Sequence, residues 1–253
     1  MTINSFKKKI LAWNEFDKKF YVIKNNINIK IEDLLFIENQ KQIILNNTIL
    51  FAQGKPSNDA LLWGSRGTGK SSLILSIFNH VKEKHDIALL EIKSNQIRYI
   101  NFILHQLDEV DQKIIIFFDD FSFNTNNEEF ITFKNILDGT ASKNCNFLFY
   151  TTSNYRSIIR YNNKSNMNMI EKQEASDSET ALSDRFGIWL GFERFNNDQY
   201  LQLVNYYCVK FNIKNDKKNL AETAIQWSLN RGSKSGREAY FFVKSLYNDK
   251  IKI

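Results

Sequence analysis

The sequence predicts an α/β fold of three layers, in which a predominantly parallel sheet lies between helices and is followed by a small helical lid. Three observations predict this class. A glycine-rich turn at residues 64–69 stands between a short apolar strand and a helix. An unbroken apolar run at 114–118 is typical of a strand buried on both faces of a parallel sheet. Beyond residue 196, apolar side chains recur at helical spacing.

These patterns divide the 253 residues into three parts. We predict an N-terminal helix and linker over 1–57, the α/β core over 58–195 and the lid over 196–253. The net charge of +6 is uneven, because residues 1–30 and 196–253 each carry +5 and the middle therefore carries −4. Basic ends of this kind can contact nucleic acid or an acidic protein, although lysines scattered among asparagines are more typical of a solvated surface.

The first part contains two predicted helices. Apolar residues from Thr2 to Tyr21 fall close to helical period, which predicts one amphipathic helix. A second helix is predicted to open at Ile31 and run toward Phe51, and Pro56 ends it.

The glycine-rich turn has the spacing of a phosphate-binding loop, G-x-x-x-x-G-K-[ST]. Its glycines allow backbone N–H groups to turn toward a β-phosphate at the start of the following helix. The ammonium group next to the last glycine would neutralise the β- and γ-phosphate oxygens, and the hydroxyl after it would bind Mg²⁺. We therefore predict ATP and Mg²⁺ as ligands. The residues predicted to bind the nucleotide are Gly64, Ser65, Arg66, Gly67, Thr68, Gly69, Lys70, Ser71 and Ser72.

Two carboxylates follow the strongest strand of the core. After a predicted strand over 86–92 and a helix over 94–107, the strand at 113–120 ends in Asp119 and Asp120. The carboxyl end of such a strand is where ligands bind in open α/β sheets. Asp119 is predicted to bind the metal with Ser71, and Asp120 to orient or deprotonate the attacking water.

The rest of the core adds an amide and an arginine. A helix is predicted over 128–137 and ended by Gly139, and a strand over 146–152 leads to Asn154, placed to hold the water or touch the γ-phosphate. A long polar loop spans 156–182. Arg185 precedes the last predicted strand, where an ordinary ion pair is the competing interpretation.

The lid is predicted to contain three helices with short turns. The first is capped near Asn197, the second carries Trp227, and the third begins near Gly236. Arg237, in the first turn of the third helix, could project toward a phosphate between lid and core.

The order of these features resembles that of the AAA+ ATPases. Three strings are similar to the bacterial family called domain of unknown function 815: LLWGSRGTGKSSL at 61–73, FDDFSF at 118–123 and LSDRFGIWLGF at 182–192. The resemblance covers about residues 25–248.

The resemblance implies a role for each candidate residue. Lys70 and Ser71 carry phosphate and magnesium, Asp119 is the Walker B ligand, and Asn154 is sensor 1. Residues 31–42 resemble the linker that lines the adenine pocket. Two positions depart from the family pattern: Asp120 stands where Glu is usual, and Phe36 where the linker usually has Gly. Arg185 would be an arginine finger and Arg237 sensor 2.

The function that follows is ATP hydrolysis coupled to conformational change on an unknown macromolecular target, in a homo-oligomer whose finger acts in trans. A nucleotide-dependent module that binds DNA or protein with little hydrolysis is a second possibility. A small-molecule kinase is a third, although the acidic stretch 171–179 suits an acceptor pocket poorly. The two cysteines, Cys145 and Cys208, have no paired spacing and favour packing roles in a reducing compartment, and the absence of a long apolar run favours a cytoplasmic location without membrane contact.

Overall fold

The computed structural model describes residues 6–24, 29–108, 110–124, 128–137, 146–156, 159–160, 185–213 and 217–249. Within them, a seven-stranded sheet has the order β2-β1-β4-β5-β7-β3-β9, and only β2 is antiparallel to its neighbour. The strands are β1 (Ile10–Asn14), β2 (Lys19–Val22), β3 (Ala60–Gly64), β4 (Ile87–Ile92), β5 (Lys113–Phe118), β6 (Phe123–Asn124), β7 (Phe147–Ser153), β8 (Ile159–Arg160) and β9 (Ile188–Phe192). The short strands β6 and β8 pair separately.

Helices cover both faces of the sheet, which confirms the predicted three-layer α/β class. They are α1 (Glu38–Ala52), α2 (Lys70–Val81), α3 (Ile100–Leu107), α4 (Glu128–Leu137), α5 (Asn197–Lys210), α6 (Lys217–Arg231) and α7 (Gly236–Asp249). Side chains of α1 and α2 pack on one face, in a cluster with Ile115 and Phe117. Those of α3 and α4 pack on the other, with Ile114 and Ile116. Because β5 is buried on both faces, its apolar run shows no alternation.

The predicted helix over residues 2–21 is wrong. Residues 10–14 and 19–22 form a β-hairpin, and β1 lies parallel to β4 at the edge of the main sheet. Asn14 makes the turn, since its side-chain oxygen accepts hydrogen bonds from the backbone N–H groups of Phe16 and Asp17. The spacing of the apolar residues does not mark one face of a helix, because Leu11, which is outside that repeat, is fully buried as well.

Several boundaries also differ from the predictions. The helix expected from Ile31 is a 3-10 turn at Ile31–Asp33 followed by α1, and the helix expected over 94–107 begins as a 3-10 turn at Ser94–Tyr99. Gly139 and most of the predicted loop over 156–182 lie outside the described residues. The strands β3, β4, β5, β7 and β9 and the helix over 128–137 agree with the predictions.

The lid is a bundle of α5, α6 and α7 with its own apolar core, as predicted. Asn196 caps α5, because its side chain accepts a hydrogen bond from the N–H of Gln199. Cys208 is buried in this core, whereas Cys145 lies outside the described residues. Among the helices described, none is long and apolar enough to cross a membrane.

Candidate functional site

The loop between β3 and α2 depends on glycine at three positions. Gly64, Gly67 and Gly69 have φ angles of 131°, 72° and 104°, a region that side chains other than glycine rarely adopt. A Cβ on Gly64 would lie 2.1 Å from the carbonyl oxygen of Phe192, so the loop leaves the sheet in close contact with β9. The hydroxyl of the buried Thr68 donates to the carbonyl of Ser65 and closes the loop.

Lys70 begins α2 and turns back under this loop. Its ammonium donates to the carbonyl oxygens of Gly64 at 2.8 Å and Ser65 at 2.7 Å, and lies 3.4 Å from Asn154 Oδ1. Burial lowers the pKa of Lys70 to about 8, although the nearby charges of Asp120 and Asp119 favour the protonated form. A buried cation at the start of a helix is suited to bind an anion.

Ser71 contacts the acidic end of β5. Its hydroxyl donates to Asp119 Oδ1 at 2.5 Å, and the Thr152 hydroxyl donates to the same oxygen at 2.6 Å. Thr152 lies on β7, between β3 and β5, so it spans the gap between the loop and the carboxylate. Both oxygen groups predicted to bind the metal are therefore adjacent, and Ser72 follows in the same helical turn.

Asp120 is held by groups from two other elements. Its backbone has a φ of 53°, and its N–H donates to Thr152 Oγ1 at 2.9 Å. The Asn154 amide donates to Asp120 Oδ1, while Arg66 Nη2 lies 3.7 Å from Asp120 Oδ2. Asn154 therefore links the ammonium of Lys70 to the carboxylate of Asp120.

Sequence reasoning did not identify Thr152 and Glu91 as part of the site. Thr152 lies inside an apolar strand and could be found only from the strand order. Glu91 is next to the end of β4, the neighbour of β5. Burial raises the pKa of its carboxyl group, and the charge of Asp119 raises it further. The signal for Glu91 in the sequence is that it is the one acidic residue in an otherwise apolar strand.

The last helix of the lid begins against the loop. The N–H of Gly236 donates to the carbonyl of Gly67 at 3.0 Å. A Cβ on Gly67 would lie 2.7 Å from both the Cβ and the Oγ of Ser235 and 3.6 Å from the Cβ of Arg237. The side chain of Arg237 is exposed. Lid and loop are therefore in direct contact at the start of the last lid helix.

The linker lies on another side of the loop. Ile37 and Leu34 are the side chains closest to Gly69, at 3.5 and 3.8 Å from a Cβ built there. Phe36 has a φ of 65°, a conformation that favours glycine, and its ring packs against Phe195 at 5.9 Å, next to the lid core.

A buried carboxylate joins linker and lid. Asp33 Oδ2 accepts from Lys210 Nζ at 2.6 Å, and Oδ1 accepts from the hydroxyl of Tyr206; both donors are on α5. Burial alone would raise the pKa of Asp33. The hydrogen bonds from Lys210, Tyr206 and the N–H of Lys30, together with the charge of Lys210, outweigh burial and lower the pKa.

Arg185 is not at this end of the sheet. It is half-buried three residues before β9, whereas the loop follows β3, and the two strands are parallel with Ala60 opposite Ile188. Arg185 and the loop therefore lie at opposite ends of these strands, and the paired stretch from Ile188 to Phe192 alone separates them by about 13 Å at 3.3 Å per residue step.

A basic recess opens between the loop and the lid. Its volume is about 640 Å³, and a second recess of about 450 Å³ shares Ser65, Asn154 and Arg194 with it. Arg194 Nε donates to Ser65 Oγ at 3.2 Å, and the Arg156 guanidinium lies over the rings of Trp63 and Trp189. The cations that line the two recesses are Arg66, Arg156, Arg194 and Lys234.

Solved structures with this fold are known. The Thermotoga maritima RuvB Holliday junction branch migration motor matches with a TM-score of 0.53 and 14% identity, over 85% of this chain and 63% of that one. The replication initiator DnaA bound to AMPPCP and single-stranded DNA matches at 0.57 and 15%, over 88% and 65%. A chain of the E. coli MS115-1 HORMA:CdnC:Trip13 complex matches at 0.53 and 13%, over 85% and 90%. The protein thus spans less than two thirds of the RuvB and DnaA chains, and at these identities the likeness shows the fold alone.

The chain therefore has the three-layer, AAA+-type fold of these structures. A search of curated proteins found no match. The chain belongs to the family described as "Protein of unknown function (DUF815)", whose model matches residues 7–250.

Proposed function

We propose that the protein binds Mg²⁺ and ATP at this loop and hydrolyses the bond between the β- and γ-phosphates to drive a conformational change. The observation that carries the proposal is the contact of Ser71 with Asp119 at 2.5 Å, one residue from the buried ammonium of Lys70. A hydroxyl, a carboxylate and a lysine brought together at the start of a helix are the groups that a magnesium–triphosphate requires.

The residues fit both ligands. Oxygen atoms of Ser71 and Asp119 are the ligand type that Mg²⁺ prefers, and when bound the ion would neutralise charge on the β- and γ-phosphates. The three glycines with positive φ keep the cradle free of side chains. The linker side chains Ile37 and Leu34 offer an apolar wall beside Gly69 for a base.

Four side chains of the protein have separate roles in the proposed reaction. Lys70 binds the phosphate oxygens, and Asn154, which already contacts both Lys70 and Asp120, positions a water molecule. Asp120 accepts a proton from that water as it attacks, and Arg237 reaches the phosphate from the lid. An aspartate is one methylene shorter than the usual glutamate, so slow turnover is expected.

Arg185 would complete the site from a second copy of the chain. Its position at the far end of β9 supports this assignment, because it is remote from the loop of its own chain. A guanidinium supplied in trans stabilises transition-state charge by about 10³-fold or more. We therefore propose a homo-oligomer in the cytoplasm, acting on a protein or nucleic-acid client.

Calorimetric titration with ADP and ATP, followed by an assay of phosphate release, tests the proposal. Wild type should bind both nucleotides and release phosphate only with Mg²⁺, and Lys70→Ala should weaken binding by roughly tenfold or more. Wild-type protein that binds neither nucleotide would refute the proposal.

A nucleotide-dependent binding module is the second candidate, because the recesses beside the loop are lined by Arg66, Arg156, Arg194 and Lys234. DnaA, with the same fold, was solved with single-stranded DNA and a nucleotide analogue. Salt-dependent DNA binding only in the ATP state, without phosphate release, would favour this candidate. Transfer of phosphate to a metabolite would instead favour the kinase.

A further inference from the structure

Arg66 is the only arginine among the loop residues 64–71 predicted to bind the nucleotide, and the hydrolysis proposed above assigns no step to its guanidinium. Its guanidinium lies 3.7 Å from Asp120 Oδ2, and its side chain is 73% exposed. It therefore reaches out of the loop to the proposed catalytic carboxylate.

The groups around Arg66 form a connected series. Lys70 Nζ lies 3.4 Å from Asn154 Oδ1, the amide of Asn154 donates to Asp120 Oδ1, and Asp120 Oδ2 faces Arg66. If Lys70 and Asn154 together hold a phosphate group, only the side chain of Asp120 separates Asn154 from the guanidinium of Arg66. Arg66 also lines the larger recess with Asn154, so it borders the space in which a terminal phosphate would project.

We propose that Arg66 senses the γ-phosphate within its own chain by exchanging Asp120 for the phosphate when ATP binds. This inference depends on the proposed function. In the nucleotide-free protein, Arg66 neutralises Asp120 and occupies the side of Oδ2. In the ATP state it pairs with the γ-phosphate, and Oδ2 becomes available to accept a proton from water. ADP has no γ-phosphate, so it leaves the pair in place.

The exchange is favourable on simple electrostatic grounds. An ion pair this exposed is weak and easily broken. A terminal phosphate carries nearly two negative charges and offers oxygens that match the planar fork of a guanidinium, whereas Asp120 carries one charge and keeps its bond to Asn154. Asp120 therefore loses its neutralising partner only when ATP, with its γ-phosphate, is bound.

The test is the ratio of affinities for Mg-AMPPCP and Mg-ADP, measured by calorimetry. Arg66→Ala should reduce the preference for AMPPCP by about tenfold while the Kd for ADP stays within about twofold. Arg66→Lys should recover only part of the preference, because a point charge lacks the fork. Arg98→Ala is the matched control: its guanidinium is also exposed, lies 3.5 Å from the Glu15 carboxylate and is on another part of the surface, and it should change neither affinity.

A second background separates a direct contact from a positioning effect. If Arg66 binds the phosphate itself, Arg66→Ala should lower the AMPPCP preference in the Asp120→Asn protein as well. An effect that vanishes in that background, or equal losses of ADP and AMPPCP affinity, overturns the inference and leaves the proposed function standing. Wild type that binds neither AMPPCP nor ADP refutes both.

Discussion

Ser71, in the first turn of the helix that follows β3, contacts Asp119, directly after β5, at 2.5 Å, although β3 and β5 are not neighbours in the sheet. The hydroxyl of Thr152, on the intervening strand β7, donates to the same carboxylate oxygen. A helix residue and a strand end 48 positions apart are thus held together by a third strand.

The first prediction concerns this pair. Asp119→Asn should lower steady-state phosphate release by at least about 100-fold, because an amide cannot supply the charge that the metal site needs. ADP affinity measured in EDTA should change little, since the loop and Lys70 are intact. Asp111→Asn is the control, because Asp111 is an exposed carboxylate near the other end of the same strand. Equal loss of activity in both variants would contradict the metal role.

The second prediction concerns Arg185. Arg185→Ala should lower turnover by about 10³-fold while ADP affinity is retained, since the finger acts on a neighbouring chain. A mixture of Arg185→Ala and Lys70→Ala, each inactive alone, should regain phosphate release, because one subunit supplies an intact loop and the other an intact arginine. Wild-type specific activity should rise with protein concentration. No regain on mixing, together with rates independent of concentration, would argue against action in trans.

The third prediction concerns Gly67. Gly67→Ala should lower the free energy of unfolding in urea by about 2 to 3 kcal/mol, because a Cβ is both strained at a φ of 72° and forced against Ser235. Gly54 provides a matched control, since its φ is 73° and a Cβ there meets nothing within 4 Å. Gly54→Ala should cost only the backbone strain, about 1 to 2 kcal/mol. If the two variants unfold alike, the contact between loop and lid is not tight.

The fourth prediction concerns the pH dependence of the bond between linker and lid. Asp33 has a lower pKa in the folded protein than the ordinary 3.8, so it stabilises the fold at pH values above 3.8, and this contribution is lost as the pH falls through the folded-state pKa. Asp33→Asn should therefore destabilise the protein by about 1 to 2 kcal/mol at pH 7 and have little effect near pH 2.

Denaturation at several pH values checks this prediction. Asp86→Asn is a useful comparison, because Asp86 also has a lowered pKa, caused by Lys7, but lies on the surface. Its effect should be smaller and should disappear in high salt. If Asp33→Asn lowers the free energy of unfolding by the same amount at pH 7 and near pH 2, the side chain stabilises the fold by packing and not by its charge.

Local patterns were sufficient for the elements that hold the site. The run Ile114–Phe118 is buried on both faces because helices cover both faces of the sheet, and this burial is what an unbroken apolar sequence indicates. The loop spacing likewise predicted the contact of Ser71 with Asp119, since the carboxyl ends of parallel strands share one edge of the sheet.

The N-terminal hairpin and Thr152 could not be predicted in this way, because both depend on long-range pairing. Trp13 and Phe20 fit a helical repeat as well as a strand, and only the pairing of β1 with β4 decides between them. Thr152 is one of several hydroxyls at the end of β7, and its role follows from the position of that strand between β3 and β5. The backbone conformation of Phe36 could not be predicted either. Its φ is positive, and phenylalanine normally avoids that region, so the residue type gives no indication of it.

The loop contacts both the core and the lid through its backbone. The N–H of Ser65 donates to the carbonyl of Phe192, at the end of the core strand β9, and the carbonyl of Gly67 accepts from the N–H of Gly236, where the last lid helix starts. These two bonds are made by loop residues only two positions apart. We therefore expect a change in the backbone conformation of residues 65–67 to move the start of the last lid helix relative to the end of β9, so that the angle between lid and core follows the conformation of the loop.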